Sequence, residues 1–277
     1  MTTAARAPLI SLHALQRSRT TLEDFAASYL PLHGLAQADY FAHSDVLTFV
    51  SAALYELDEA NEALTGAGDW DGPSSRAADL AGPSTGCVSA ALASLGLLSD
   101  QVDTELRAGD AFWLLERRIC AQLAAGLVPA AADVLAAHEA KSFDYRVLHL
   151  VLLQRIRRPV DAALLAFLRI DEQLVDIGDD LTDYEDDVVA NSFNVFRCFV
   201  ALHGAAAAPA RLIEHISGLE RRHAAALARL PEATQRHFWA RHADASQAEG
   251  QSGRWALPRA IAIADEPAFR ASCELKT

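Results

Sequence analysis

The chain has 277 residues, 51% of them apolar, which is enough for a sizeable core. Asp and Glu number 37 against 24 Lys and Arg, a formal charge of −13. That balance argues against nucleic acid or an anionic membrane surface as partner, but not against an anionic small molecule held through metal ions. Four cysteines (Cys87, Cys120, Cys198, Cys273) stand far apart with no CxxC pair, so neither a disulfide framework nor a zinc knuckle is indicated. A cytoplasmic setting is therefore expected.

The composition is that of an all-α protein: Ala and Leu dominate, no stretch alternates with period two, and one domain over 1–277 is expected. The first residues lack the apolar core of a signal peptide. Thr20-Thr21-Leu22-Glu23 has the form of a capping box and predicts a helix start there. A helix follows over 44–64, with Leu47, Val50, Leu54 and Leu57 at steps of three and four. The segment 66–83, rich in Gly, Pro and Ser, predicts a long surface loop. Further helices are predicted at 84–98, 101–125, 129–141, 145–157, 160–189, 192–203, 209–229, 231–249 and 255–264, about ten in one unit. The apolar run 119–137 is interrupted by Gln122, Pro129 and Asp133, so it reads as packed helices and not as a membrane span.

Two acidic clusters stand out. Between Arg19 and Arg76 lie ten acids and no Lys or Arg, and Asp58, Glu59 and Glu62 crowd the end of the second helix. Asp58 and Glu62 are four apart and share one face. Such like-charged neighbours repel unless water or a cation separates them. Between Arg169 and Arg197 lie nine acids, again with no Lys or Arg. There Asp179, Asp183 and Asp187 fall at i, i+4 and i+8, in one row about 6 Å apart per step. Apolar residues flank this cluster (Leu164, Leu168, Val188, Val189), unlike a solvated acidic tail. Mg²⁺ suits such a row, because it takes oxygen ligands, keeps water and accepts phosphate.

Two acid-bearing helices in an all-α chain of this size resemble the class I terpene synthases of the isoprenoid synthase superfamily. Asp58-Glu59-Ala60-Asn61-Glu62 is similar to their DDxxD motif. Residues 179–187 resemble the (N/D)DxxSxxxE motif, with Asp at all three ligand positions and without the late basic residue. The resemblance implies an isoprenoid diphosphate as substrate, three Mg²⁺ ions, and Asp58, Glu59, Glu62, Asp179, Asp183 and Asp187 as metal ligands. It also implies Arg254-Trp255 as the C-terminal pair, Arg146 as a diphosphate-sensing arginine, and helical dimers as a common assembly. An apolar, aromatic pocket must shield a carbocation from water, and Phe49, Phe112, Trp113, Phe143, Phe193 and Phe196 are candidates for its lining.

A chain-elongating prenyltransferase or a squalene synthase-like enzyme is an alternative, but it would need a second basic cluster near the first motif. A di-iron bundle would need ExxH pairs on two helices, and only Glu220-Arg221-Arg222-His223 is present. A non-enzymatic helical protein remains a further reading. No strand pattern that would carry a nucleophile elbow is visible, and no DxDD motif occurs.

Overall fold

The computed structural model describes residues 9–65, 82–248, 257 and 259–274. Among them are twelve α-helices and no strand. We number them α1 (Leu12–Ser28), α2 (Ser44–Thr65), α3 (Gly86–Ser94), α4 (Asp100–Ala124), α5 (Ala131–Ala140) and α6 (Phe143–Arg155). The rest are α7 (Ala162–Thr182), α8 (Tyr184–Ala190), α9 (Val195–His203), α10 (Ala208–Leu227), α11 (Glu232–Ala248) and α12 (Glu266–Glu274). Two 3-10 turns, Pro31–His33 and Gln37–Ala42, join α1 to α2.

Three predicted boundaries change. The first helix starts at Leu12 and not at Thr20, because the Ser11 side chain accepts the Ala14 N–H at 3.0 Å and caps it there. Thr21 then lies inside the helix, with its hydroxyl hydrogen-bonded to the Tyr55 hydroxyl at 2.5 Å. The helix predicted over 160–189 is interrupted at Asp183. Of the helix predicted over 255–264, residues 257 and 259–264 carry no helix, and the last helix begins at Glu266. The predicted loop 66–83 lies mostly outside the described residues.

The core forms two clusters. The larger gathers α1 to α6 and the start of α7, with Phe25, Leu47, Trp113, Val147 and Phe167 at its centre. The smaller gathers the end of α7 with α8, α9 and α10 around Leu174, Ile177, Tyr184 and Phe196. α7 contributes to both, so the second acidic cluster sits where they meet. α1 packs on α2, α4 packs on α5, α6 and α2, and α10 packs on α7 and α9. No helix among the described residues is long and apolar enough to cross a membrane.

Candidate functional site: an acidic cavity between α2 and α7

Asp58 and Glu62 on α2 and Asp179, Asp183 and Asp187 on α7 and α8 line one cavity of about 450 Å³. The α2 wall follows from helical periodicity. Leu47, Val50 and Leu54 are buried in the core, so the rotation that buries them leaves Asp58 and Glu62 at the cavity. The Trp113 indole N–H donates to Asp58 at 3.0 Å and fixes it. Arg17 reaches across from α1, 3.6 Å from Asp58, 3.7 Å from Glu59 and 3.5 Å from Glu62. Its guanidinium also lies 4.7 Å from the Tyr55 ring centroid. Glu59, one residue round the helix, does not line the cavity and sits 2.8 Å from His13. Glu56 accepts the Ser11 N–H at 2.7 Å, turned toward the start of α1.

The opposite wall is held more tightly. The break at Asp183 is local: Asp183 N–H bonds to the Asp179 carbonyl, and Asp187 N–H to the Asp183 carbonyl, each at 2.8 Å. The helical step therefore survives, and all three aspartates of the row face the cavity. A second row, Asp176 and Asp180, lines it too. The Ser142 hydroxyl lies 2.8 and 2.9 Å from the two carboxylate oxygens of Asp176. Asp180 pairs with Lys141 and accepts the Val195 N–H at 2.6 Å. Asn194 is fully buried and donates to the Asp180 carbonyl at 2.5 Å and to the Asp187 carboxylate at 2.8 Å. Its own side-chain oxygen accepts the Arg197 N–H at 3.0 Å and caps α9.

The floor is aromatic and comes from Phe112, Trp113, Phe143 and Phe193. Phe112 meets Phe193 edge-on at 6.0 Å, and Trp113 meets Phe143 edge-on at 5.4 Å. Phe143 can lie this close to α4 only because residue 109 is Gly, since a Cβ there would fall 2.2 Å from the ring. Phe49 and Phe196 do not line the cavity. Phe196 instead packs on Tyr184, 4.9 Å away, in the smaller core cluster.

The cavity is heavily unbalanced in charge. Besides the seven carboxylates already placed in it, Glu116 and Asp144 line it, making 7 + 2 = 9, against Arg17 and Lys141 as the cations. Burial raises Asp179 and Asp187 to about 6, with Asp176 adding to the effect on Asp179 and the Asn194 bond opposing it on Asp187. Burial, reinforced by Asp58, lifts Asp144 to about 7 and Glu116 to about 8. Burial also raises Asp58, although the Trp113 bond opposes it. Burial works against the charge of Lys141, but Asp180 and Asp176 outweigh it and hold the ammonium well above its ordinary value. Carboxyls this crowded need added positive charge to be ionised together.

Several expectations are corrected. Arg146 is 1% exposed and does not line the cavity. It is locked in the core by Glu105 at 2.9 Å and by Glu172, which also accepts the Tyr29 hydroxyl at 2.8 Å. A guanidinium so paired has no free face for a diphosphate, and Lys141, five residues earlier, stands in the cavity instead. Arg254 and Trp255 lie outside the described residues. His223 of the ExxH pair is held against Asp171 at 2.9 Å and against the Phe167 ring, away from the cavity. Glu116, Lys141, Asp144, Asp176, Asp180 and Asn194 escaped the sequence reading. Asp176 and Asp180 had a signal, since with Asp183 and Asp187 they complete a pattern of i, i+4, i+7 and i+11. Glu116, Lys141 and Asp144 had none, because they arrive from α4, the end of α5 and the start of α6.

Among the described residues no group of three or more His, Cys, Asp or Glu side chains is placed to hold a metal ion by itself. The donors are carboxylate oxygens set on facing walls. That suits a hard divalent cation which keeps water and takes phosphate oxygens as further ligands. No protein-family model matches the chain, and no curated protein or solved structure matches it.

Proposed function

We propose that the protein binds the diphosphate of an isoprenoid between α2 and α7 with Mg²⁺ and promotes loss of that diphosphate, as a cyclase. One observation carries this reading. Two acidic segments 179 − 58 = 121 residues apart in the chain face each other across one cavity whose floor is aromatic. Bound Mg²⁺ would act as a Lewis acid on the departing oxygens.

Asp58 and Glu62 would hold it from one side, and Asp179, Asp183 and Asp187 from the other. Arg17 and Lys141 supply the positive charge that the chain itself brings to an anionic leaving group. Phe112, Trp113, Phe143 and Phe193 line the cavity and would keep water from the hydrocarbon end, where aromatic rings can stabilise developing positive charge. A cyclase is favoured over a chain-elongating transferase because these two cations are the only Lys or Arg among the described lining residues. A second diphosphate would need more.

The test is incubation with geranyl, farnesyl and geranylgeranyl diphosphates and Mg²⁺, with analysis of hydrocarbon products and released diphosphate. A cyclic or rearranged product from any of them, abolished by EDTA, supports the proposal. Intact substrate in all three refutes it.

A further inference from the structure

The Arg17 guanidinium sits among the three carboxylates of the first acidic cluster, where the proposed function would put a divalent cation. Its distances of 3.5, 3.6 and 3.7 Å are all longer than the roughly 2.7–2.9 Å of a charge-assisted hydrogen bond. The side chain is 33% exposed, so water screens these pairs. Three acids share one cation, and none of them holds it in a directed, bidentate grip. Arg146 shows the contrast: a buried guanidinium bonded at 2.9 Å to Glu105 and paired with Glu172. One arginine is anchored, and the other is parked.

We infer that Arg17 is an exchangeable counter-ion: without metal it offsets part of the charge of Asp58, Glu59 and Glu62, and it moves to the diphosphate when Asp58 and Glu62 are taken by a divalent cation. The idea rests on the proposed function and adds to it which arginine meets the substrate. The charge arithmetic favours the exchange. Asp58 and Glu62 together carry two negative charges when ionised, which one divalent cation offsets and one guanidinium does not, and the two cations repel one another at the same oxygens. Arg17 also lines the cavity itself, so a short swing of a flexible side chain brings it to an anion there. The Tyr55 ring face, 4.7 Å away, gives the guanidinium a platform that does not depend on the carboxylates. α1 does not need Arg17 to stay in place, because Leu22, Phe25, Ala26 and Tyr29 bury it against the core.

The experiment compares wild type, Arg17→Ala and Arg17→Lys by calorimetric titration, first with Mg²⁺ alone and then with inorganic pyrophosphate at saturating Mg²⁺. Far-UV circular dichroism confirms that each variant is folded. Removing the resident cation should tighten Mg²⁺ binding in Arg17→Ala by several-fold. The same variant should bind pyrophosphate at least tenfold more weakly, and Arg17→Lys should recover part of that loss. These opposite signs are what a merely structural arginine cannot produce. If both affinities fall together, or if Arg17→Ala binds pyrophosphate as wild type does, the exchange is refuted while the proposed function stands. If wild type itself binds no pyrophosphate with Mg²⁺, the proposed function falls and the exchange with it.

Discussion

The two acidic walls of the cavity are built from the same kind of residue and held in opposite ways. On α2, Asp58 and Glu62 rest on one indole bond and on loose pairs to Arg17. On α7 and α8, Asp176, Asp180 and Asp187 are each bonded by Ser142, Lys141, Val195 or Asn194, mostly out of contact with water. The second wall is thus preorganised, and the first can adjust to what binds. Preorganised charge contributes most where charge develops, because nothing has to reorient during the reaction. A wall that closes on its ligand is better suited to admitting and releasing it.

That contrast can be broken most sharply at Asp183. It stands at the centre of the aspartate row and is exposed, with no hydrogen bond or ion pair to its carboxylate among the described residues. Asp183→Ala should lower kcat/KM by on the order of 10³-fold, about 4 kcal/mol of transition-state stabilisation. Its melting temperature should not fall, since repulsion along the row is relieved. Glu62→Ala should lose clearly less activity. Equal losses in the two variants would remove the distinction between the walls.

Next in size is Lys141. Lys141→Met would leave Asp180 buried without its cation, at a loss of about 3 kcal/mol of stability by urea unfolding. The double variant Lys141→Met, Asp180→Asn should be the more stable of the two, because the uncompensated charge is gone. A double variant no better than the single would show that Lys141 acts through packing.

Gly109→Ala addresses the floor. The new Cβ must displace the buried Phe143 ring, with an expected loss of roughly 1–3 kcal/mol and an altered product distribution. Asn194→Ala is gentler. It removes a helix cap of about 1 kcal/mol and frees Asp187, so stabilisation by Mg²⁺ with pyrophosphate should shrink as well. An undiminished thermal shift would mean that Asp187 needs no second support.

The smallest effect is on pH. Asp179 and Asp187 at about 6, Asp144 at about 7 and Glu116 at about 8 all ionise later in the folded chain than in the unfolded one. The unfolded state releases these protons first, so stability falls as pH rises through the folded values. The buried imidazoles His138 and His215, both lowered to about 4, act oppositely, weakening the fold as pH drops below about 6.5. Above about 6.5 only the carboxyls remain, and the melting temperature of the metal-free protein should decline toward pH 8. Mg²⁺ with pyrophosphate should recover the loss. A flat profile would place the cavity carboxyls in contact with bulk water.

The sequence by itself determined the all-helical class, the approximate span of most helices and the two acidic segments. Helical periodicity is a local property, and i, i+4 spacing puts Asp58 with Glu62, and Asp179 with Asp183 and Asp187, on common faces whatever surrounds them. Local signals misled where two of them competed: Thr20 to Glu23 has the capping pattern, yet Ser11 caps the helix nine residues earlier. Only the tertiary structure decided which charges meet. Both acidic stretches are free of Lys and Arg in sequence, yet each receives a cation from another helix, Arg17 from α1 and Lys141 from the end of α5. Arg146, promising by position, is consumed by Glu105 and Glu172, which lie 41 and 26 residues away along the chain. Charge pairing depends on distance in space, and helix packing over such separations sets that distance without leaving a mark on either segment.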